Sequence, residues 1–415
     1  MHGFFSQLVV VLLTARLLAL LLRRLGQPTV VAEMAAGFVL GPAALGAISM
    51  SAVEWLVSAR TALDVLGQIG LTLFMFVVGA ELTGAGISRA RTAGGLVAIS
   101  AVAVPALLAL ALAPWVYEYA PAGVGFWQFA SFFCLAIATT AVPVMARLLQ
   151  ERGELGSTEG AVSLSAAAFG DVLVWLGLPL IVGFSKAPLD TGAALKSTGA
   201  LVALAIVAIY GVRPLLAAWW SRVPVDAPTA MVVGPPLVCG VIFAASTSAI
   251  GFHAVFGAFL AGLCMPRDAG LLHKLDAAVT PVSTLVLMPC FFASAGLQTL
   301  PIASVGLGAS LLAIIVVAVV GKLVGGAIGM RFAGYGWSAS AKVGVLMNIR
   351  GMMELVVITI GFQAGLIGAD MFTALFFMAI ITTAMASPML AAVSALQAAA
   401  GARAAQSGRA IKDPA

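Results

Sequence analysis

The chain has 415 residues, 62% of them hydrophobic and 9% charged, with a formal net charge of +5 and a mean hydropathy of +1.12. Soluble domains carry roughly 45–50% apolar and 25% charged residues, so this composition excludes an ordinary soluble globule and points to an integral membrane protein. The basic residues are scattered and form no continuous patch, which excludes a nucleic-acid surface, and the four cysteines have neither CxxC spacing nor histidine neighbours suited to a metal.

A crossing needs about 20 mostly apolar residues, and cutting the chain at its polar clusters predicts about thirteen segments. The first, Phe4–Leu22, has no basic residues ahead of it and is expected to be a retained span, not a cleaved signal. There follow Thr29–Ala47, Leu63–Leu82, Gly94–Trp115, Phe126–Leu149, Gly160–Phe184, Leu195–Trp219, Met231–Ser248, Phe252–Met265, Pro281–Leu297, Gly306–Phe332, Lys342–Leu366 and Phe372–Val393. A short basic tail at 396–415 is expected to be disordered, with no soluble domain behind it.

Alternate connections divide the basic residues unequally. One side holds fifteen Lys and Arg, beginning with Arg23 and Arg24, and the other holds only Arg60, Lys186 and Lys196. By the positive-inside rule this predicts an outside N-terminus and a cytoplasmic C-terminus. Gly321, Gly325 and Gly329, spaced by four, read as a close helix contact or as a mobile interface.

The ionisable residues inside the spans carry the functional signal. Asp171, in SLSAAAFGDVLVWLGLPLIVGF, stands near the middle of its segment, where snorkelling to an interface is hard. A charge there costs at least about 2.5–3.5 kcal/mol, so an intramembrane carboxylate marks a functional site by default. Lys322 is equally deep, and the two suggest a pair in which each offsets the other's cost, whether for exchange or for structure alone. In CLAIATTAVPVMARLL, Thr139, Thr140 and Pro143 interrupt a span at mid-depth; Asn348, Arg350, Gly351 and Glu354 do the same in KVGVLMNIRGMMELVVITIGF. Paired interrupted spans point to a midplane ion site, although Arg350 and Glu354, four residues apart, also fit a local helix ion pair. Glu33 and Glu81 are weaker candidates near helix ends, and His253 is expected to serve as a structural helix start. No phosphate-cradling loop, catalytic triad or cofactor motif is present at a meaningful spacing.

Taken in order, LGQPTVVAEMAAGFVLGPAALG, FMFVVGAEL, AVPVMARLLQERGEL, SLSAAAFGDVLVW, GFHAVFGAFLAGLCMP, LMPCFFASAGL and GVLMNIRGMMELVVITIGFQAGLI resemble the cation:proton antiporter-2 family. They are most similar to the branch with plant cation/H⁺ exchangers and bacterial relatives, over nearly the whole chain. The resemblance implies an all-α membrane fold of thirteen helices built from inverted repeats, with a dimerisation domain and a core domain at about 94–184 and 306–395. Two broken helices cross in that core. It further implies that Asp171 binds cation and proton, with Thr139 and Thr140 beside it, Lys322 as the intramembrane basic residue, and Asn348, Arg350 and Glu354 in the second broken helix.

The chain departs from the family pattern at Gly170, where relatives usually place Asp, Asn or Gln ahead of the essential Asp. The expected activity is electroneutral exchange of Na⁺ or K⁺ for H⁺ by a homodimer in the cell membrane, without cofactor and without a C-terminal regulatory domain. Two rivals stay open: transport of an organic solute through space left by Gly170, and an antiporter-derived enzyme doing acid–base chemistry on a lipophilic substrate.

Overall fold

Helices form every regular element of the computed structural model, which describes residues 2–27, 29–84, 91–154, 156–185, 191–224, 227–301 and 308–410. Lys186, and Arg89 and Lys412 among the fifteen basic residues of the other side, lie outside the described residues, as does the side chain of Pro143. Helices suit this chain because in a bilayer each backbone N–H and C=O must find its partner within the segment.

The first half comprises α1 (His2–Arg23), α2 (Thr29–Leu40), α3 (Met50–Val57), α4 (Arg60–Gly84), α5 (Arg91–Val116), α6 (Phe126–Ala138), α7 (Val142–Glu151) and α8 (Thr158–Ser185). The second comprises α9 (Thr191–Val207), α10 (Arg213–Trp220), α11 (Thr229–Ala249), α12 (Ala254–Leu263), α13 (Ala269–Val282), α14 (Met288–Gly296), α15 (Gly308–Phe332), α16 (Trp337–Met347), α17 (Met352–Gln363) and α18 (Ala369–Ala410). Single π turns join α9 to α10 and α13 to α14. Among the described residues, ten helices are long and apolar enough to cross a membrane, and three more, Phe126–Ala138, Ala254–Leu263 and Met353–Gln363, are apolar but shorter. The last helix is carried to Ala410, into the stretch read from sequence as an unstructured tail.

Three apolar cores organise the helices. The largest is built from α5–α8 and α15–α18 and reaches α2, α4, α12 and α14. A second joins α4 to α10–α13, and a third joins α1–α4 to α14. Large apolar side chains such as Leu17, Leu107, Leu176 and Leu312 remain exposed on the outer faces, which is the surface a lipid environment requires.

The α5–α15 contact sets the position of the deepest lysine. A Cβ on Gly321 would lie 2.7 Å from the Pro105 Cα, and one on Gly325 would lie 2.6 Å from the Ser100 carbonyl oxygen and 3.0 Å from the Ala101 Cα. The glycine stripe is therefore a packed seam, in which backbone meets backbone and Lys322 is carried against α5. Gly325→Val is expected to lower the thermal unfolding midpoint in detergent, because overpacking costs roughly 1–3 kcal/mol and the contacts here are with rigid backbone. An unchanged midpoint would mean the seam is looser than these distances.

Candidate functional site

Two apolar stretches are broken where their polar interruptions predicted. α6 ends at Ala138 with Thr139 extended behind it (φ −65°, ψ 152°), and α7 begins at Val142. Pro143 accounts for the interruption, since it has no N–H to offer the carbonyl of Thr139. α16 ends at Met347 and α17 begins at Met352. At that junction a Cβ on Gly351 would come within 2.6 Å of the Val144 Cγ2 and 3.2 Å of the Ala141 Cβ. Glycine thus lets the two breaks touch, and the Ala141 N–H donates to the Ile349 carbonyl across them at 3.1 Å.

The last turn of a helix leaves carbonyls without N–H partners and carries the negative end of the dipole. At the end of α6 two buried cations cover them. Arg350 donates to the carbonyls of Ile137 at 2.7 Å and Ala136 at 3.4 Å, and to Glu354 Oε1 at 2.6 Å. Lys322 donates to the Ala101 carbonyl at 3.0 Å, to Thr140 Oγ1 at 2.7 Å, and to the Ala138 carbonyl. Thr139 turns its hydroxyl back onto the Ala136 carbonyl at 2.9 Å. Lys322 and Arg350 are both wholly buried, with Glu354 at 1% exposure.

Asp171 lies midway along the apolar span Thr158–Gly183 of α8 and is 2% exposed. Its Oδ2 is buried without a hydrogen-bond partner. The direct Asp171–Lys322 pair expected from the sequence is not among the ion pairs that the described residues make. An ammonium has three donors, and those of Lys322 are committed to two carbonyls and a hydroxyl. The two groups remain electrostatic neighbours across the site. Beside Asp171, a Cβ at Gly170 would meet nothing nearer than the Val102 Cγ2 at 3.9 Å, so position 170 has room for a side chain. Asn348 is wholly buried, and both its amide atoms, with Glu354 Oε2 and Ser163 Oγ, also lack partners.

Glu33 and Glu81 belong elsewhere. They line a cavity of about 360 Å³ with Arg16, Val144, Asp276 and Thr280, at the C-terminal end of α4. Glu33 pairs with Arg16 at 4.0 Å, and Thr280 donates to Asp276 Oδ1 at 2.6 Å. The sequence reading passed over Arg16 and Asp276 here; the available signal was a carboxylate four residues before a threonine inside an apolar stretch. Toward the other end of α4 the openings are smaller, about 20 Å³ beside Asp64 and Gln298 and about 160 Å³ beside Gly251 and Gln363. His253 caps α12 through its Nδ1, which accepts from the Val255 N–H at 3.4 Å. Cys134, Cys239, Cys264 and Cys290 are all free thiols, and no cluster of metal-ligating side chains occurs among the described residues.

The site can therefore hold one small cation or one proton on a carboxylate oxygen that has no other partner. The two helix breaks meet through the Ala141–Ile349 backbone bond, and Arg350 and Lys322 occupy the carbonyls at the end of α6.

Residues 9–395 match the family described as sodium/hydrogen exchanger, transmembrane. The chain is similar to Cation/H(+) antiporter 17 of Arabidopsis thaliana, 33% identical over 398 residues that cover 93% of this chain and 48% of that protein. It is also similar to the Na(+)/H(+)-K(+) antiporter GerN of Bacillus cereus, 29% identical with 93% and 95% covered. The chain thus spans about half the length of the plant relatives it matches. Its fold is similar to that of the sodium proton antiporter MjNhaP1 of Methanocaldococcus jannaschii, with a TM-score of 0.68 at 16% identity over 94% of this chain and 96% of that one.

Proposed function

Because the chain belongs to the sodium/hydrogen exchanger family, we propose that it exchanges a monovalent cation, Na⁺ or K⁺, for a proton by alternating access, with Asp171 holding either one. The single observation that carries this reading is the Asp171 Oδ2 at the centre of a span, buried and without a partner. Such a group is costly unless it is protonated or loaded with a cation, and a transporter needs that alternative.

The other site residues take supporting roles. Thr139 and Thr140 mark the unwound stretch beside the cation, Lys322 and Arg350 neutralise the negative end of α6, and Glu354 balances Arg350. Glu33, Glu81 and Asp276 draw cations into the larger cavity by their charge. That cavity opens on the side with most of the basic connections, which supports an inward-facing state and a cytoplasmic C-terminus in the cell membrane. The shared apolar packing of α5–α8 with α15–α18 supports a core body at about 94–184 and 306–395 that moves against the remaining helices, which form the contact of a homodimer. The family is one of transporters, so the enzyme reading falls away.

The test is dissipation of a pH gradient in proteoliposomes holding the purified chain, on adding Na⁺, K⁺ or Li⁺ in turn. Cation-dependent proton movement is expected. No response to any cation, with the protein folded, would overturn the reading and favour an organic solute that uses the space at Gly170.

A further inference from the structure

Two half-helices, α6 and α16, end at the crossing, and each brings the negative end of its dipole there. Their treatment differs. The end of α6 is covered by the side chains of Arg350 and Lys322. At the end of α16 the carbonyls of Val345 and Leu346 accept only the backbone N–H groups of Asn348 and Ile349. No side chain among the described residues donates to them. The residue at that end, Asn348, is wholly buried with its amide oxygen and nitrogen both without partners. Buried amides are almost always hydrogen-bonded, and one that is not needs an explanation, of which a ligand position is one.

The second deficit lies on α8, against which α16 packs. Asp171 offers a single carboxylate, and Gly170 before it offers nothing, although its surroundings leave room for a side chain. A small dehydrated cation needs several oxygens. We infer that the carboxamide oxygen of Asn348, at the uncovered end of α16, supplies the neutral ligand for the cation held by Asp171, in place of a side chain at position 170. The transported ion then does at α16 what Arg350 and Lys322 do permanently at α6. This assignment rests on the Asp171 reading and adds the element that decides how tightly a cation is held.

The test uses proteoliposomes with Na⁺ and K⁺ as probes and compares wild type, Asn348→Ala, and Asn348→Ala combined with Gly170→Asn. The concentration giving half-maximal proton movement is expected to rise about tenfold or more in Asn348→Ala, with the loss concentrated in KM. Adding Gly170→Asn is expected to bring it back toward wild type. A merely structural role for Asn348 predicts no such rescue, because position 170 is on another helix. If Asn348→Ala does not run as a monodisperse folded protein, Asn348→Ser, which keeps an oxygen on a shorter arm, is measured instead and its KM is expected to rise by more than about twofold but less than about tenfold. A KM within twofold of wild type in the folded Ala or Ser variant would overturn the assignment. Absence of cation-driven flux in the wild type would instead overturn the exchange reading itself.

Discussion

Asp171→Asn is expected to reduce cation-driven proton movement in proteoliposomes to the level of empty vesicles while leaving the chain folded. Asparagine matches aspartate in shape but neither binds a proton in this range nor offsets a cation's charge. Of the buried groups Lys322, Arg350, Glu354 and Asp171, suppose that the first three keep their usual charges throughout the cycle. The set is neutral with Asp171 ionised and carries one positive charge when Asp171 holds either a proton or a monovalent cation. Both loaded forms therefore present the same charge to the membrane, and exchange is expected to be electroneutral. A potential of 100 mV acts on each moved charge with about 2.3 kcal/mol, so a potassium–valinomycin potential is a sensitive probe. The rate in wild type should not respond to it. Proton flux that survives in Asp171→Asn would remove Asp171 from the mechanism, and a voltage-dependent wild-type rate would mean that another titrating group takes part.

Arg350→Ala is expected to be the most destabilising single change in the core. The guanidinium satisfies Glu354 Oε1 and two α6 carbonyls at once, and removing it leaves a carboxylate at 1% exposure without its partner. Breaking a buried pair from one side costs about 3–5 kcal/mol, which should appear as a marked fall in the unfolding midpoint in detergent. The double variant Arg350→Ala with Glu354→Ala should recover part of that loss, because no lone charge then stays buried. A double variant no better than the single one would place the cost in the uncovered carbonyls instead. Arg350→Lys should also fall short of wild type, since a point charge does not reproduce a planar fork reaching three acceptors.

Much of this was legible because a charge in an apolar run is conspicuous. Asp171, Lys322, Arg350 and Glu354 could be picked out one by one, and Pro143 marked the first break through the donor it lacks. The Arg350–Glu354 pair followed from a spacing of four. What Lys322 touches was not legible, because its partners at Ala101 and Ala138 are backbone oxygens, which any residue supplies and which become free only once the helix break is in place. Residue types suggested Asp171 as its mate; the geometry assigns it carbonyls. The cavity at Glu33 and Glu81 escaped for a related reason, since Asp276 reaches it from α13, distant in the chain from both, and no local pattern records that meeting.

The cavity at Val144 and Asp276, about 360 Å³ in volume, has room for on the order of ten water molecules at liquid density. If the core body slides so that this space closes and its counterpart on the far side opens, each half-cycle expels that water from one compartment and admits a similar amount from the other. Ion exchange is then linked to water activity as well as to pH and cation concentration. A solute too large to enter, such as a polyol polymer placed on the cavity side, should favour the closed arrangement and slow the cycle with no ion gradient altered. The molecule would then respond to osmotic stress through its shape alone.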